Sequence, residues 1–102
     1  METITKSIGA GRQDVVYTEV LHAGDHKLRV SIRSDAYAFQ SWATVKRWDG
    51  DKWHLVHSIH HSQMKTPHSM YVGPTPTDRS FRADRDELLR VASAILDIEA
   101  AA

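Results

Sequence analysis

The feature that most constrains this fold is the alternation of apolar and polar residues between Val15 and His61, which turn signals interrupt. A period of two is typical of β-strands, because successive side chains point to opposite sides of a strand. Every turn must therefore return the apolar set to the same side, or the sheet has no core. The segment predicts an antiparallel β-meander of four or five strands.

The positions of the turns decide which residues pair across the strands. The predicted turns are a three-residue loop at 23–25, a two-residue turn at 34–35 and a bulged three-residue loop at 48–50 with Gly50 in the left-handed conformation. They place Val20 opposite Leu28, Ile32 opposite Tyr37 and Val45 opposite Trp53. The predicted core face then contains Val16, Thr18, Val20, Leu28, Val30, Ile32, Tyr37, Phe39, Ala43, Val45, Trp53, Leu55 and Ile59.

The carboxy-terminal residues change to a helical pattern. Asp84 is placed to cap a helix, and Glu87 follows three residues later, as in a capping box. The apolar residues at helical spacing on one face are Leu88, Val91, Ala92, Ile95 and Ile98. A long connection at 62–80 precedes this helix, contains all three prolines of the chain and includes a short predicted edge strand at 70–72.

One amphipathic helix can cover one face of such a sheet. The predicted fold class is therefore α+β, with a four- to five-stranded antiparallel β-meander and one C-terminal helix packed on it. The chain of 102 residues is long enough for one domain, spanning residues 1–102. Its predicted parts are a loosely ordered segment at 1–14, the meander at 15–61, the connection at 62–80 and the helix at 84–99.

Composition excludes several classes of protein. Lys plus Arg number 13 and Asp plus Glu number 13, so the formal net charge is zero, which argues against a protein that coats nucleic acid or an anionic membrane. Cysteine is absent, so disulfides, thiolate metal sites and cysteine nucleophiles cannot form. The apolar runs are too short to cross a bilayer or to form a signal peptide, which favours a cytoplasmic protein. No cofactor is expected, since Gly9 and Gly11 lack the later glycine and lysine of a phosphate-binding loop.

Four histidines close together raise the question of a metal site. They are His54, His57, His60 and His61. Histidine is the commonest zinc and nickel ligand, but a metal needs ligands that converge on one point. On a strand these side chains divide between the two faces, so we interpret them as partly exposed strand residues and keep metal-dependent enzyme chemistry only as an alternative.

The face of the sheet opposite the predicted helix has the composition of an interface, because Trp42 lies opposite Val56 and basic side chains surround the pair. The predicted partner-binding residues are Trp42, Val56, Tyr17, Arg29, Arg33, Lys46, His54 and Trp48. Two arrangements stay open at this point. Either this face is free to bind a partner, or residues 62–80 fold back over it.

These observations favour a non-enzymatic protein-interaction module, such as an accessory or inhibitor protein of bacterial or bacteriophage origin. Its partner is another protein or a second copy of the chain, and a homodimer is the favoured form because it covers the exposed face. A single-stranded nucleic-acid platform is an alternative, since aromatic and basic side chains share the face. Neutrality and the presence of Glu19 on that predicted face count against nucleic acid.

Overall fold

The computed structural model of the protein describes residues 1–68 and 77–98 and shows an α+β fold. The strands are β1 Glu2–Ala10, β2 Asp14–Ala23, β3 His26–Asp35, β4 Trp42–Trp48 and β5 Trp53–Ile59, and the helix is α1 Asp78–Ile95. The strands form a five-stranded sheet in the order β1-β2-β3-β4-β5, and every neighbouring pair is antiparallel. Helix α1 packs across β3, β4 and β5. The predicted meander with one C-terminal helix is thus confirmed.

The turn between β2 and β3 is one residue shorter than predicted. Ala23 pairs with His26, so Gly24 and Asp25 alone form the turn, and Gly24 has a φ of +61° that glycine adopts without steric cost. Shifting a register by one residue moves every side chain of a strand to the other face. The predicted orientation of β2 was therefore wrong: its core residues are Val15, Tyr17, Glu19, Leu21 and Ala23.

The connection between β3 and β4 also differs from the prediction. Strand β3 continues to Asp35, and the chain returns through a short 3-10 turn at Ala38–Gln40. Tyr37 and Phe39 lie in this connection and are 50% and 66% exposed, so their predicted core positions were wrong. Hydrogen bonds of the buried Asp35 hold the chain in this connection. Its carboxylate accepts a hydrogen bond from the Tyr37 N–H at 2.8 Å, and its N–H donates to the Ser41 hydroxyl at 3.0 Å.

The turn between β4 and β5 forms around the Asp-Gly pair, and Gly50 has a φ of +99°, as predicted. The connection contains residues 49–52 rather than 48–50, so Trp53 pairs with Trp48 instead of Val45. Val45 pairs with His57 and the next pair is Lys46 with Leu55, which leaves one extra residue, Val56, in a β-bulge. This bulge turns Leu55 out of the predicted core, and its side chain is 60% exposed.

The amino-terminal segment is a strand. Residues 1–14 were predicted to be loosely ordered, but β1 pairs with β2 along its length, with a register shift between Thr3 and Thr5. Most of its side chains are exposed on both faces, which removes the apolar alternation that identifies a strand in sequence. Edge strands are often protected by such polar residues and irregularities.

Helix α1 begins six residues before the predicted capping residue. Thr77 is its N-cap, and its N–H donates to the Ser80 hydroxyl at 3.4 Å, as in one half of a capping box. Asp84 therefore lies inside the helix and is not its cap. At the other end Asp97 adopts a left-handed φ of 54°, and the Ile98 N–H donates to the Ser93 carbonyl at 2.8 Å, which closes the helix.

The core lies between α1 and one face of the sheet. It contains Leu28, Val30, Ile32, Ala43 and Val45 as predicted, together with apolar residues of α1. Tyr17 stacks on Phe81 with ring centroids 5.1 Å apart. These contacts join β2 to the amino-terminal half of the helix.

A buried ionic network adjoins this core. Glu19 is 0% exposed and accepts hydrogen bonds from Arg85 Nε at 2.8 Å, from the Tyr17 hydroxyl at 2.7 Å and from the Thr3 hydroxyl at 2.6 Å. Burial alone raises the pKa of Glu19, but the hydrogen bonds from Arg85, Thr3 and Tyr17 outweigh it and lower the pKa to about 2. Burial and the bond to this carboxylate raise the pKa of Tyr17. The network ties β1, β2 and α1 together.

The described part of the connection after β5 follows the helix side of the molecule. The buried Asp84 carboxylate accepts the N–H groups of Lys65 and Thr66 at 2.8 and 2.7 Å, and the Ser34 hydroxyl donates to the Pro67 carbonyl at 2.6 Å. The strand predicted at 70–72 and the predicted last residue of the helix, 99, lie outside the described residues. Within residues 1–68 and 77–98, no helix is both long and apolar enough to span a membrane.

Candidate ligand-binding face of the sheet

The three tryptophans of the chain lie on the side of the sheet opposite α1. On β4, Trp42 and Trp48 alternate with the buried Ala43 and Val45, and Trp53 on β5 pairs directly with Trp48. Trp42 is 37% exposed. We call this side the tryptophan face.

Two tryptophans at one end of this face are in contact with cations. The Trp48 and Trp53 rings lie with their centroids 5.3 Å apart. The Arg29 guanidinium lies 4.6 Å from the Trp53 centroid, and the Lys27 ammonium lies 5.9 Å from the Trp48 centroid. Cation–π contacts of this kind hold long basic side chains over the rings before any ligand arrives.

The basic side chains beside these rings are not neutralised. Arg29 on β3 pairs directly with Lys46 on β4, and like charges at directly opposite positions destabilise a sheet. Among the described residues no acidic side chain forms a salt bridge with Lys27, Arg29 or Lys46. Arg33 on the same face is neutralised, because its Nε lies 3.0 Å from the Asp14 carboxylate and its Nη2 lies 2.8 Å from the Asp35 carboxylate. Lys27, Arg29 and Lys46 therefore place three positive charges, unpaired within the described part of the chain, beside the tryptophan pair.

A row of hydroxyl side chains crosses the tryptophan face. One such residue on each strand pairs with the next: Ser7, Thr18, Ser31, Thr44 and Ser58. In the part of the chain that the structure describes, none of these hydroxyls has a side-chain hydrogen bond. The row lies between two rows of larger side chains, one containing Arg29 and Lys46 and the other containing Arg33 and Trp42.

No family model, curated protein or solved structure matches the chain. The candidate site is consequently defined by its own geometry. Of the residues predicted to bind a partner, Trp42, Trp48, Arg29, Arg33 and Lys46 do lie on the tryptophan face.

The remaining predicted residues lie elsewhere. Tyr17 is buried under α1, because β2 has the opposite orientation from the predicted one. Val56 is the bulge residue, lies against the core and does not pair with Trp42, whose described partner is Arg33. His54 pairs with Arg47, which pairs in turn with the core residue Leu28, so His54 lies on the helix side of the sheet.

Sequence reasoning missed several members of the face, among them Lys27, Trp53 and Leu55. The bulge and the four-residue turn exchanged the predicted faces of the β5 residues, and Lys27 lies at the end of a strand, where alternation carries little information. Two signals point to them in the sequence. The close spacing of Trp48 and Trp53 around an Asp-Gly turn points to Trp53, and the alternation of Lys27 with Arg29 points to Lys27.

The four clustered histidines do not converge. His54 contacts the Asp49 carboxylate at the hairpin tip, His57 pairs with Val45, and the His60 Nδ1 lies 2.7 Å from the Ser62 hydroxyl. His61 stacks against His60 with ring centroids 4.0 Å apart. Among residues 1–68 and 77–98, no group of three His, Asp or Glu side chains is arranged to hold a metal ion.

The acidic groups of the cavity between β5 and α1 already have partners. A cavity of about 420 Å³ lies between β5 and α1, but its Asp84 accepts the Lys65 and Thr66 N–H groups, and its Glu87 pairs with Arg90. The Ser41 hydroxyl lies 3.0 Å from His68 Nδ1, yet Ser41 is buried. These contacts stabilise the fold.

Proposed function

We propose that the protein is a non-enzymatic module that binds single-stranded nucleic acid through the tryptophan face. The observation that supports this proposal is the unneutralised pair of Arg29 and Lys46 beside Trp48 and Trp53. Phosphates are bound by Arg and Lys, and unstacked bases stack on aromatic rings. A duplex keeps its bases stacked on one another, so this combination favours a single strand.

The local charge matters more here than the neutral net charge of the chain. Glu19, which counted against nucleic acid at the sequence level, is buried on the helix side and paired with Arg85. Helix α1 contains equal numbers of acidic and basic residues, and its Arg85 and Arg90 are paired with carboxylates. The positive potential is therefore expected around Lys27, Arg29 and Lys46, where a polyanion can be held.

Binding of a fluorescein-labelled dT20 oligonucleotide tests this proposal. We expect fluorescence anisotropy to give a dissociation constant on the order of 1–100 μM near 50 mM salt, as for sequence-independent binding. The logarithm of affinity should fall with the logarithm of salt concentration with a slope of about −2, since about three cations contact phosphates. Tryptophan emission should be quenched by the oligonucleotide, because all three tryptophans lie on the proposed site.

Charge variants identify the face that binds. Arg29→Gln and Lys46→Gln should each weaken binding and each reduce the salt slope by about 0.7. The matched control is Arg79→Gln, which removes an exposed charge from α1 on the other side of the sheet. Absence of saturable binding at low salt, or equal binding by all three variants and the parent, contradicts the proposal.

An acidic protein partner is the second candidate, and the exposed Leu55 favours it. Leu55 is 60% exposed and pairs with Lys46, and Trp and Arg are the residues that dominate binding energy in protein interfaces. This candidate keeps the expected role of a bacterial or phage accessory or inhibitor protein. Binding of poly-L-glutamate but not of dT20, with loss of binding in Leu55→Asp, would favour it over nucleic acid. A cytoplasmic location is part of both proposals.

A further inference from the structure

We infer that a bound single strand crosses the β-strands along the hydroxyl row, which holds its phosphate groups. This inference rests on the proposed function and names the path of the ligand on the same face. The row consists of Ser7, Thr18, Ser31, Thr44 and Ser58, one on each strand of the five-stranded sheet.

The dimensions of the row suit a short segment of extended polymer. Neighbouring strands lie about 4.8 Å apart, so five strands place the outer hydroxyl residues about 19 Å from each other. Residues two apart on a strand differ by about 7 Å along it, so the rows of larger side chains lie at that distance on either side. The small hydroxyl residues therefore form the floor of a shallow trough, with Arg29 and Lys46 on one wall and Arg33 and Trp42 on the other.

The chemistry of the trough matches a phosphodiester backbone better than an apolar ligand. Hydroxyl groups of Ser and Thr are common donors to phosphate oxygens, and they do so without distinguishing sequence. Thr18, Ser31 and Thr44 are half-buried, and none of them is engaged by another side chain in the described residues. Phosphates on this floor lie beside the Arg29 and Lys46 wall, and the bases can extend from the trough towards the tryptophans.

A double substitution, Thr18→Val with Thr44→Val, tests the path. Valine keeps the shape and strand preference of threonine and removes the hydroxyl donor. We expect dT20 affinity to fall roughly tenfold, which corresponds to the loss of two modest hydrogen bonds. The salt slope should stay unchanged, because a hydroxyl releases no counterions, whereas Arg29→Gln changes it. The matched control is Thr5→Val, which lies on the same face but in the row of Arg29.

The outcomes separate this inference from the proposed function. Parent-level affinity in the double variant overturns the hydroxyl path, while binding by the parent protein leaves the proposed function standing. Absence of dT20 binding by the parent overturns both. Circular dichroism and thermal unfolding confirm that the variants are folded; if the double variant is not, Ser31→Ala and Ser58→Ala repeat the test with the same expected direction. An equal loss in Thr5→Val also contradicts the path, because that residue lies outside the row.

Discussion

At the scale of single residues, Glu19 places a negative charge in the core. A buried carboxylate without partners binds a proton and becomes neutral, since water no longer solvates its charge. Here the bonds from Arg85, Tyr17 and Thr3 keep the pKa at about 2, well below its ordinary value of 4.5. The stability that this group contributes is present above pH 4.5 and is lost as the pH falls through 2. Removing only the cation leaves an orphaned charge, which costs more than removing the whole pair.

Arg85→Met is therefore expected to lower the free energy of unfolding by roughly 3 kcal/mol at pH 7. The difference from the parent should shrink as the pH falls from 4.5 towards 2, because protonation of Glu19 then removes the stabilising charge in the parent. In the variant the pKa of Glu19 is higher than in the parent, so its orphaned charge is neutralised at a higher pH. Urea unfolding at several pH values measures this. Arg82→Met, an exposed residue of the same helix, is the control. A double variant with Glu19→Gln that is no more stable than Arg85→Met alone would contradict the explanation.

The position of Glu19 also shows why the orientation of β2 was not predictable from local pattern. Both faces of this strand contain apolar residues, so the predicted length of the turn at 23–25 decided which face was assigned to the core. The partner of Glu19, Arg85, lies 66 residues further along the chain, where no pattern of period two can indicate it. Alternation alone did predict the buried Leu28, Val30 and Ile32 on β3, where polar residues occupy every other position.

At the scale of elements, the β4–β5 hairpin determines which side chains reach the tryptophan face. The sequence was sufficient to predict its Asp-Gly turn and the left-handed conformation of Gly50. It was not sufficient for the loop length or for the bulge at Val56, because both depend on how β5 packs against α1. Asp49 stabilises the turn: N–H groups of Lys52 and Asp51 and the contact with His54 lower its pKa to about 2. The hairpin is held by its own polar groups, and its tryptophans lie on the side of the sheet opposite α1.

Gly50→Ala is expected to destabilise the protein by about 1 kcal/mol or more, since a φ of +99° is strained for any residue with a Cβ. No atom lies within 4 Å of the position of the added Cβ, so the cost is conformational and not a clash. Gly9→Ala is the matched control, because its Cβ also meets nothing within 4 Å and its φ is not positive. Thermal unfolding compares the two variants, and equal melting temperatures for both would contradict the assignment of strain to Gly50.

At the scale of the whole molecule, the two faces of the sheet have different roles. The helix side contains the core and the paired charges, such as Glu19 with Arg85. The tryptophan face contains an unneutralised basic cluster and exposed apolar side chains. A chain of zero formal net charge can thus present one positive surface, which is how a neutral composition is compatible with a polyanionic ligand. Sequence reasoning placed Arg29, Arg33 and Lys46 on one face correctly, because they lie on β3 and β4, but it also placed Glu19 there, because the predicted register of β2 was wrong.

This distribution of charge also bears on the predicted homodimer. A twofold dimer that covers the tryptophan face buries the Lys27, Arg29 and Lys46 clusters of both copies in one interface, and repulsion between like charges there is strongest at low salt. We therefore expect light scattering to give a mass near 11.5 kDa at about 20 mM salt, with any association appearing only when salt near 1 M screens the charges. A stable dimer at low salt that is abolished by Trp42→Ala or Leu55→Asp would mean that the face is closed by a second copy. If dT20 then fails to dissociate that dimer, the face serves self-association instead of polyanion binding.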